Sequence, residues 1–374
     1  MSQRVLMDEQ TLDEMLECLM EHVTIEMQGE CTEETLFTVL LRAASTCESL
    51  EHTADTLEDA PDGSTIRYHL NKCDEMARME EAINAALQSR VPGNLTTCAQ
   101  RLAIDLNLQP YYGIPNADEA PYIYRSKAHD GTCSFYAYAT CYVMRRNKRV
   151  TLAVTPVRRD DLMVGIITRL LDRATRFGVR IKHLYLDRGF FSVPVIRWLK
   201  ALGVPVVMPV IIRGKHGGTR QLLQGGKSYK THYTMKSKTY GEVTFDVWVI
   251  CVYHNGKQGK HGRTYCAYVV HTVELRLRAL YHDYRRRFGI ESTYRLKNTC
   301  RIKTAMKNPV VRLLFVGIAF VLIDVWIYLL WTVISQPRRG GRLVFRQLFP
   351  LKRMLEFLRQ AIDRRFQVKD AIYL

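Results

Sequence analysis

Three carboxylates in the sequence stand where a divalent metal ion could be held. Asp105 closes the apolar run Leu102-Ala103-Ile104, Asp187 closes the run from Ile181 to Leu186, and Glu291 lies within the helical pattern from Leu275 to Lys297. Mg2+ takes oxygen ligands, commonly one or two carboxylates with water and phosphate oxygens, and a third carboxylate is needed where two ions are held. At about 100° per residue, Tyr284, Arg287, Glu291 and Arg295 share one helical stripe about 80° wide. A carboxylate flanked by guanidinium and phenol groups suits a metal-bound phosphodiester: Glu291 ligates the metal while Arg287 and Tyr284 grip the phosphate. Each residue alone has an ordinary explanation, since a strand-end Asp is commonly a turn residue and an Arg/Glu helix face is commonly a solvated stripe. The joint order of two strand-end aspartates and a helical glutamate in a basic α/β region is more specific. Asp130 competes for the first position, but Asp130-Gly131 is a turn signal in its own right, so Asp105 is preferred.

These residues need a sheet to bring them together. Leu102 to Asp105, Ser134 to Met144 and Arg149 to Val157 read as a three-stranded meander. Asp160 to Phe177 has the apolar spacing of an amphipathic helix. A strand (Ile181 to Asp187), a helix (Val193 to Leu202) and a strand (Val204 to Ile212) follow, so residues 100–212 predict a mixed-sheet α/β core. Residues 213–272 read as a β-rich basic insertion: a flexible loop through Lys238, then strands Glu242 to His254 and Thr264 to Thr272. Arg213, Lys215, His216, Arg220, Lys227 and Lys230 in that loop read as phosphate-tracking cations. Trp248, Tyr240 and Tyr253 could stack on an unpaired base, but packing on strand faces is the stronger reading. Residues 273–335 hold the Glu291 helix and a core helix. Residues 336–374 form a basic helical tail, helical from about Leu343, whose Arg338, Arg339 and Arg342 are further phosphate candidates.

The chain has 374 residues, with 54 Lys and Arg against 37 Asp and Glu, and a formal charge of +17. That sum hides a division: residues 1–100 hold 6 basic and 20 acidic residues, net −14, leaving +31 for the remainder. Basic residues set among aromatics point to nucleic acid as the polyanion partner. Residues 1–92 read as an acidic helical domain. Within it, a helix from Ser49 to Leu57, a turn at Ala60-Pro61-Asp62-Gly63 and a helix capped by Ser64 outline a helix-turn-helix. Its second helix would present Arg67, Tyr68, His69, Asn71 and Lys72 to bases or phosphates; an ordinary helical hairpin is the alternative. Pro309 to Ser335 is apolar enough to span a bilayer, but Arg312 and Asp324 interrupt it and favour a buried core helix. The ten scattered cysteines form no CxxC pair, which fits reduced thiols in the cytoplasm, and the polar N-terminus carries no secretory signal. No Gly-x4-Gly-Lys-Ser/Thr loop is present, so ATP is not expected.

The pattern resembles the DDE transposases of prokaryotic insertion sequences, in particular the group with a β-rich insertion and a Tyr-x2-Arg-x3-Glu-x6-Lys signature. Tyr284, Arg287 and Glu291 match that spacing, and Leu186-Asp187-Arg188-Gly189-Phe190 resembles the motif at the second Asp. The final Lys is displaced: Asn298 holds its place, and Lys297 falls about 120° from Glu291 around the helix, leaving Arg295 to supply the cation. The resemblance spans roughly residues 100–335 and implies a ribonuclease-H-like core behind an all-helical N-terminal domain. It further implies DNA cleavage at transposon terminal inverted repeats and strand transfer into target DNA. Asp105, Asp187 and Glu291 would hold two Mg2+ ions, for which Mn2+ can substitute. DNA and phosphate contacts are expected at Tyr284, Arg287, Arg295, Lys297, Arg188, Lys215 and Arg220, in a homodimeric synaptic complex that is nucleoid-associated and needs no membrane. A nuclease of the same core that cuts without joining, a non-catalytic DNA-binding regulator and a membrane protein are the other readings.

Overall fold

The computed structural model describes residues 5–145, 147–256 and 261–371. Five helices open the chain: α1 (Asp8–Met20), α2 (Glu33–Thr46), α3 (Leu50–Thr56), α4 (Gly63–Asn71) and α5 (Met76–Ser89). The apolar stripes read from the sequence are buried, Leu12, Met15, Leu16 and Leu19 on α1 and Leu36, Val39 and Leu40 on α2. The α3–α4 hairpin exists, but its second helix is capped by Asp62 rather than Ser64. The Asp62 carboxylate accepts the Ser64 hydroxyl and the N–H groups of Thr65 and Ser64, and these bonds, the hydroxyl foremost, hold its pKa down at about 2. His69 is only 1 % exposed and faces the helical core, so it is withdrawn from any surface that α4 presents. Arg67 on the outer face is paired with Glu51 at 3.3 Å, and Lys72 lies over the Tyr68 ring.

Next comes the sheet: β1 (Gln100–Pro110), β2 (Ile123–His129), β3 (Thr132–Val143), β4 (Thr151–Pro156), α6 (Met163–Arg176), β5 (Ile181–Leu186), α7 (Val193–Ala201) and β6 (Val206–Pro209). The expected meander gains β2 and a much longer β1. Three further strands, β7 (Tyr229–Ser237), β8 (Gly241–Asn255) and β9 (His261–His271), continue the same sheet, in the order β2-β3-β1-β5-β6-β9-β8-β7, with β4 also paired to β3. The β-rich segment is therefore an extension of the core sheet: β9 pairs antiparallel with β6, at Val207 with Val270. Period-two alternation divides the sheet faces. Leu102, Ile104, Leu184 and Leu186 point into the main core, while Ala103, Tyr142, Tyr185 and Val207 face the other side.

That other side is covered by α8 (Leu277–Arg285) and α9 (Gly289–Thr299), joined by a 3-10 turn at Arg286–Phe288. The chain then forms α10 (Pro309–Thr332), a hairpin of β10 (Ser335–Arg338) and β11 (Gly341–Val344), and α11 (Leu351–Phe366). The basic tail thus begins as a hairpin, turning at Gly340 with φ +81°, and becomes helical only at Leu351. α10 has the length and apolarity of a membrane span, yet 94 % of its most apolar stretch is buried within the protein. Its Asp324 carboxyl accepts the Thr151 N–H at 3.1 Å, and complete burial pushes its pKa well above the ordinary carboxylate range.

Strand β4 lies at an edge, where unpaired backbone groups would invite another strand. Asn84 on α5 closes it, donating to the Val154 carbonyl and accepting the Val154 N–H, both at 2.8 Å, and Gln88 donates to the Leu152 carbonyl. Replacing Asn84 by Leu leaves two buried backbone groups without partners. Asn84→Leu is expected to lower unfolding stability by about 2 to 3 kcal/mol, read from the urea midpoint, whereas Gln88→Leu, which frees one group, costs roughly half as much.

Candidate active site

The register of two parallel strands brings the aspartates together. Ile104 of β1 pairs with Leu186 of β5, so Asp105 and Asp187 occupy the next position on each strand and point to the same face. Asp105 does not end its strand, as the sequence suggested: β1 remains paired with β3 through Pro110 while β5 stops at Leu186. Leu106 and Leu108, alternating with Asp105, Asn107 and Gln109, carry the period-two pattern of the strand onward and pack against the main core. Separation of β1 from the end of β5 opens a cleft of about 550 Å3, lined in part by Asp105, Asp187, Arg188, Arg287, Phe288 and Glu291.

Arg287 sits between the carboxylates. Its Nη1 donates to Asp105 Oδ2 at 3.0 Å and its Nη2 to Asp187 Oδ1 at 3.1 Å, while Glu291 Oε1 lies 3.7 Å from the same Nη2. The continuous helix expected from Leu275 to Lys297 is broken, since Arg287 lies in the 3-10 turn and Glu291 in the first turn of α9. The predicted stripe survives because the turn is short. The guanidinium is only 4 % exposed, whereas the Glu291 side chain is 46 % exposed and reaches solvent. Burial raises the Asp105 pKa to about 6, opposed by the Arg287 charge and reinforced by Asp187. Asp187 also accepts the Gly189 N–H and so caps the turn after β5.

The other expected contacts divide. Arg188 and Arg295 are exposed, Arg188 on the cleft wall and Arg295 one helical turn beyond Glu291. Tyr284 is largely buried in the cleft wall, and its hydroxyl donates to the Leu186 carbonyl at 3.3 Å, next to Asp187, so that it positions the strand end. Lys297 is 2 % exposed and donates to Asn107 Oδ1 at 2.9 Å, so its expected phosphate contact is overturned by burial beneath the helix. Lys215 and Arg220 are exposed on the loop after β6, outside the cleft lining, and that loop is folded rather than flexible. Thr219 ties Ile211 to Arg213, and Arg220 Nε donates to the Gly214 carbonyl. Gly214 has φ +92°, and a Cβ there would meet the Gly217 carbonyl oxygen at 2.3 Å. Lys230 lies in β7 with its Nζ 3.9 Å from the Trp248 ring; Trp248 is buried on the sheet, while Tyr240 and Tyr253 are exposed. Asp130 occupies the β2–β3 turn with φ +51° and pairs with His129, away from the cleft.

A supporting layer escaped the sequence reading. Tyr185, two residues before Asp187 on the same strand face, donates to Asp283, which also lies 2.9 Å from Arg101. These contacts pin α8 to β5 and β1 just before the Tyr284–Arg287 segment. The period-two position of Tyr185 was the available signal, but its partner comes from a helix far away in sequence.

Residues 115–321 match the family described as the transposase DDE domain. The chain belongs to the DDE transposase family. The match begins beyond Asp105 and includes Asp187, Arg287 and Glu291, so Asp105 joins the site on geometry. Among solved structures, the transposase is similar to the piggyBac transposase in its synaptic complex with hairpin DNA, with a TM-score of 0.53 and 10 % identity. That likeness covers 97 % of this chain and 80 % of the other and bears on the fold, in keeping with a ribonuclease-H-like mixed sheet. No curated protein matches the chain.

The donor set of the transposase suits a hard divalent cation, since three acceptor-only carboxylates face a common centre. Among the described residues no cluster of three ligand side chains is already drawn together to hold one, and the guanidinium is what stands between them. Removing it leaves a buried carboxylate beside a second one without a countercharge. Arg287→Met is expected to destabilise the transposase by about 3 to 5 kcal/mol at neutral pH, and added Mn2+ to restore more of its thermal midpoint than it adds to the wild type. Lys297 gives a separate test. Burial and the nearby Arg301 charge lower its pKa from 10.5 to about 7, so between those values the unfolded lysine is charged and the folded one neutral. Folded stability therefore falls as pH drops through that window. Lys297→Met should gain on the wild type by an amount on the order of a few kcal/mol between pH 10 and pH 7, measured by chemical denaturation, with no further change below pH 7.

Proposed function

We propose that this transposase cleaves DNA at the ends of its mobile element and transfers the freed strand into target DNA by metal-dependent phosphoryl transfer. The observation that carries the reading is the meeting of Asp105, Asp187 and Glu291 around one cationic centre in an open cleft. Asp105, Asp187 and Glu291 would hold a pair of Mg2+ ions, replaceable by Mn2+, which when bound would supply Lewis acidity toward an attacking water or 3′-hydroxyl and the leaving oxygen. Arg287 then exchanges carboxylate partners for phosphate oxygens, which present the same bidentate acceptor geometry to a guanidinium. Arg188 and Arg295 bring further positive charge to the cleft rim, while Tyr284 and Gly189 hold the end of β5 so that Asp187 keeps its direction. The polyanion partner is duplex DNA, both the terminal repeats and the target, consistent with the basic body of the chain and with the DNA in the similar piggyBac complex. Two copies bring two ends together in a synaptic dimer.

Asp105→Asn, Asp187→Asn and Glu291→Gln should each reduce cleavage of a duplex carrying the element's end by at least about a thousandfold while leaving its binding intact, because each removes a ligand charge and keeps side-chain size. A strand-transfer assay with pre-cleaved ends distinguishes joining from cutting alone. Wild-type cleavage surviving all three substitutions contradicts the assignment.

A further inference from the structure

Two groups of cations in this chain differ in how they are held. Two cations of α11 are paired with the acidic head: Arg364 with Asp8 and Glu9, and Arg365 with Glu9, Asp13 and Glu34, while Arg42 on α2 returns the contact to Asp363. A second group gathers where the β3–β4 turn meets the β10–β11 hairpin. Lys148, Arg149, Arg338, Arg339, Arg342 and Arg346 form no ion pair among the described residues.

These side chains are held without being neutralised. Lys148 Nζ lies 3.7 Å from the Trp331 ring and donates to Asn94, and the Arg346 guanidinium lies 4.7 Å from the Trp326 ring. Arg342 donates to Ser335 Oγ at 2.6 Å. Around the Arg342 and Arg346 guanidinium groups, neutral oxygens and an aromatic face fix the cation in place and leave its charge available to an outside anion, whereas Lys148, 2 % exposed, lies beneath the surface of the group. The group is crowded enough that burial and the charges of Arg145 and Arg342 lower the Lys148 pKa to about 8. Asp324, wholly buried beneath it, accepts the Thr151 N–H and forms no ion pair with these cations among the described residues.

The group also adjoins the cleft. Arg149 and Arg346 line a groove with Gly289 and Ser292 of α9, and Phe288 and Glu291, beside these two, line the catalytic cleft. A Cβ on Gly289 would lie 3.2 Å from the Arg149 guanidinium. The two surfaces are thus opposite flanks of the first turn of α9.

We infer that this cationic strip is a track for the phosphodiester backbone of duplex DNA, leading from the β10–β11 hairpin across the first turn of α9 into the cleft. The inference rests on the reading of the cleft as a DNA-processing site. Its guanidinium donors, exposed or half-buried and without a carboxylate partner, suit a polyanion of repeating phosphates, and the anchoring of Arg342 and Arg346 lowers the ordering cost of binding.

The test is anisotropy titration of a labelled duplex of about 25 base pairs, in chelator, over a range of salt. Arg338→Gln/Arg339→Gln/Arg346→Gln should weaken binding at least about tenfold and reduce the slope of log Kd against log salt by roughly 2 to 3, at about 0.9 per lost phosphate contact. The variant lacking only Arg338 and Arg339, both fully on the surface, should lose roughly 2 of slope with an unchanged thermal midpoint. Wild-type affinity and slope in both variants overturn the track. If the wild type binds and cuts DNA while both variants keep its slope, the track alone fails; if the wild type binds no duplex at all, the function proposed for the cleft fails with it.

Discussion

A single guanidinium holding three carboxylates apart is the contact on which the site depends. The parallel register of β1 and β5 places Asp105 beside Asp187 whatever else the chain does, and two partly buried carboxylates cannot both stay ionised without a cation between them. Arg287 supplies that cation from a tight turn between two helices, and the turn is anchored by Tyr284 on Leu186 and by Asp283 on Tyr185. The same requirement explains why the cleft can exchange its occupant. A divalent ion offers more charge to the same oxygens than a guanidinium does, and a phosphate offers the guanidinium an acceptor equivalent to the one it gives up.

Charge is organised by the same logic elsewhere. The acidic head meets the chain's own last helix through Asp8, Glu9, Asp13 and Glu34, which take up part of the −14 of residues 1–100. On the body, Arg342 and Arg346 carry positive charge anchored by a hydroxyl and an aromatic ring with no carboxylate partner. The net charge of +17 averages these two arrangements and describes neither.

Much of this was legible in advance where local periodicity governs. Period-two runs located Ile181 to Asp187, helical spacing placed Arg287 and Glu291 on one stripe, and interruption of an apolar run by Arg312 and Asp324 fitted a core helix better than a membrane span. Other features depend on contacts that no local pattern encodes. β7 reads as loop because its exposed face is Lys- and Thr-rich, and it becomes a strand through its pairing with β8. Tyr284 and Lys297 have the right types for phosphate contact but meet Leu186 and Asn107 first. The clamp of α11 on α1 and α2 joins opposite ends of the chain, and only the opposed charges hinted at it.

The most direct test of the central claim is the anomalous scattering of Mn2+ bound to crystals of the wild-type transposase. The account predicts Mn2+ density coordinated by Asp105, Asp187 and Glu291, with the Arg287 guanidinium displaced from between the two aspartates. Mn2+ bound elsewhere, or an Arg287 still bridging Asp105 and Asp187 at saturating metal, would contradict it.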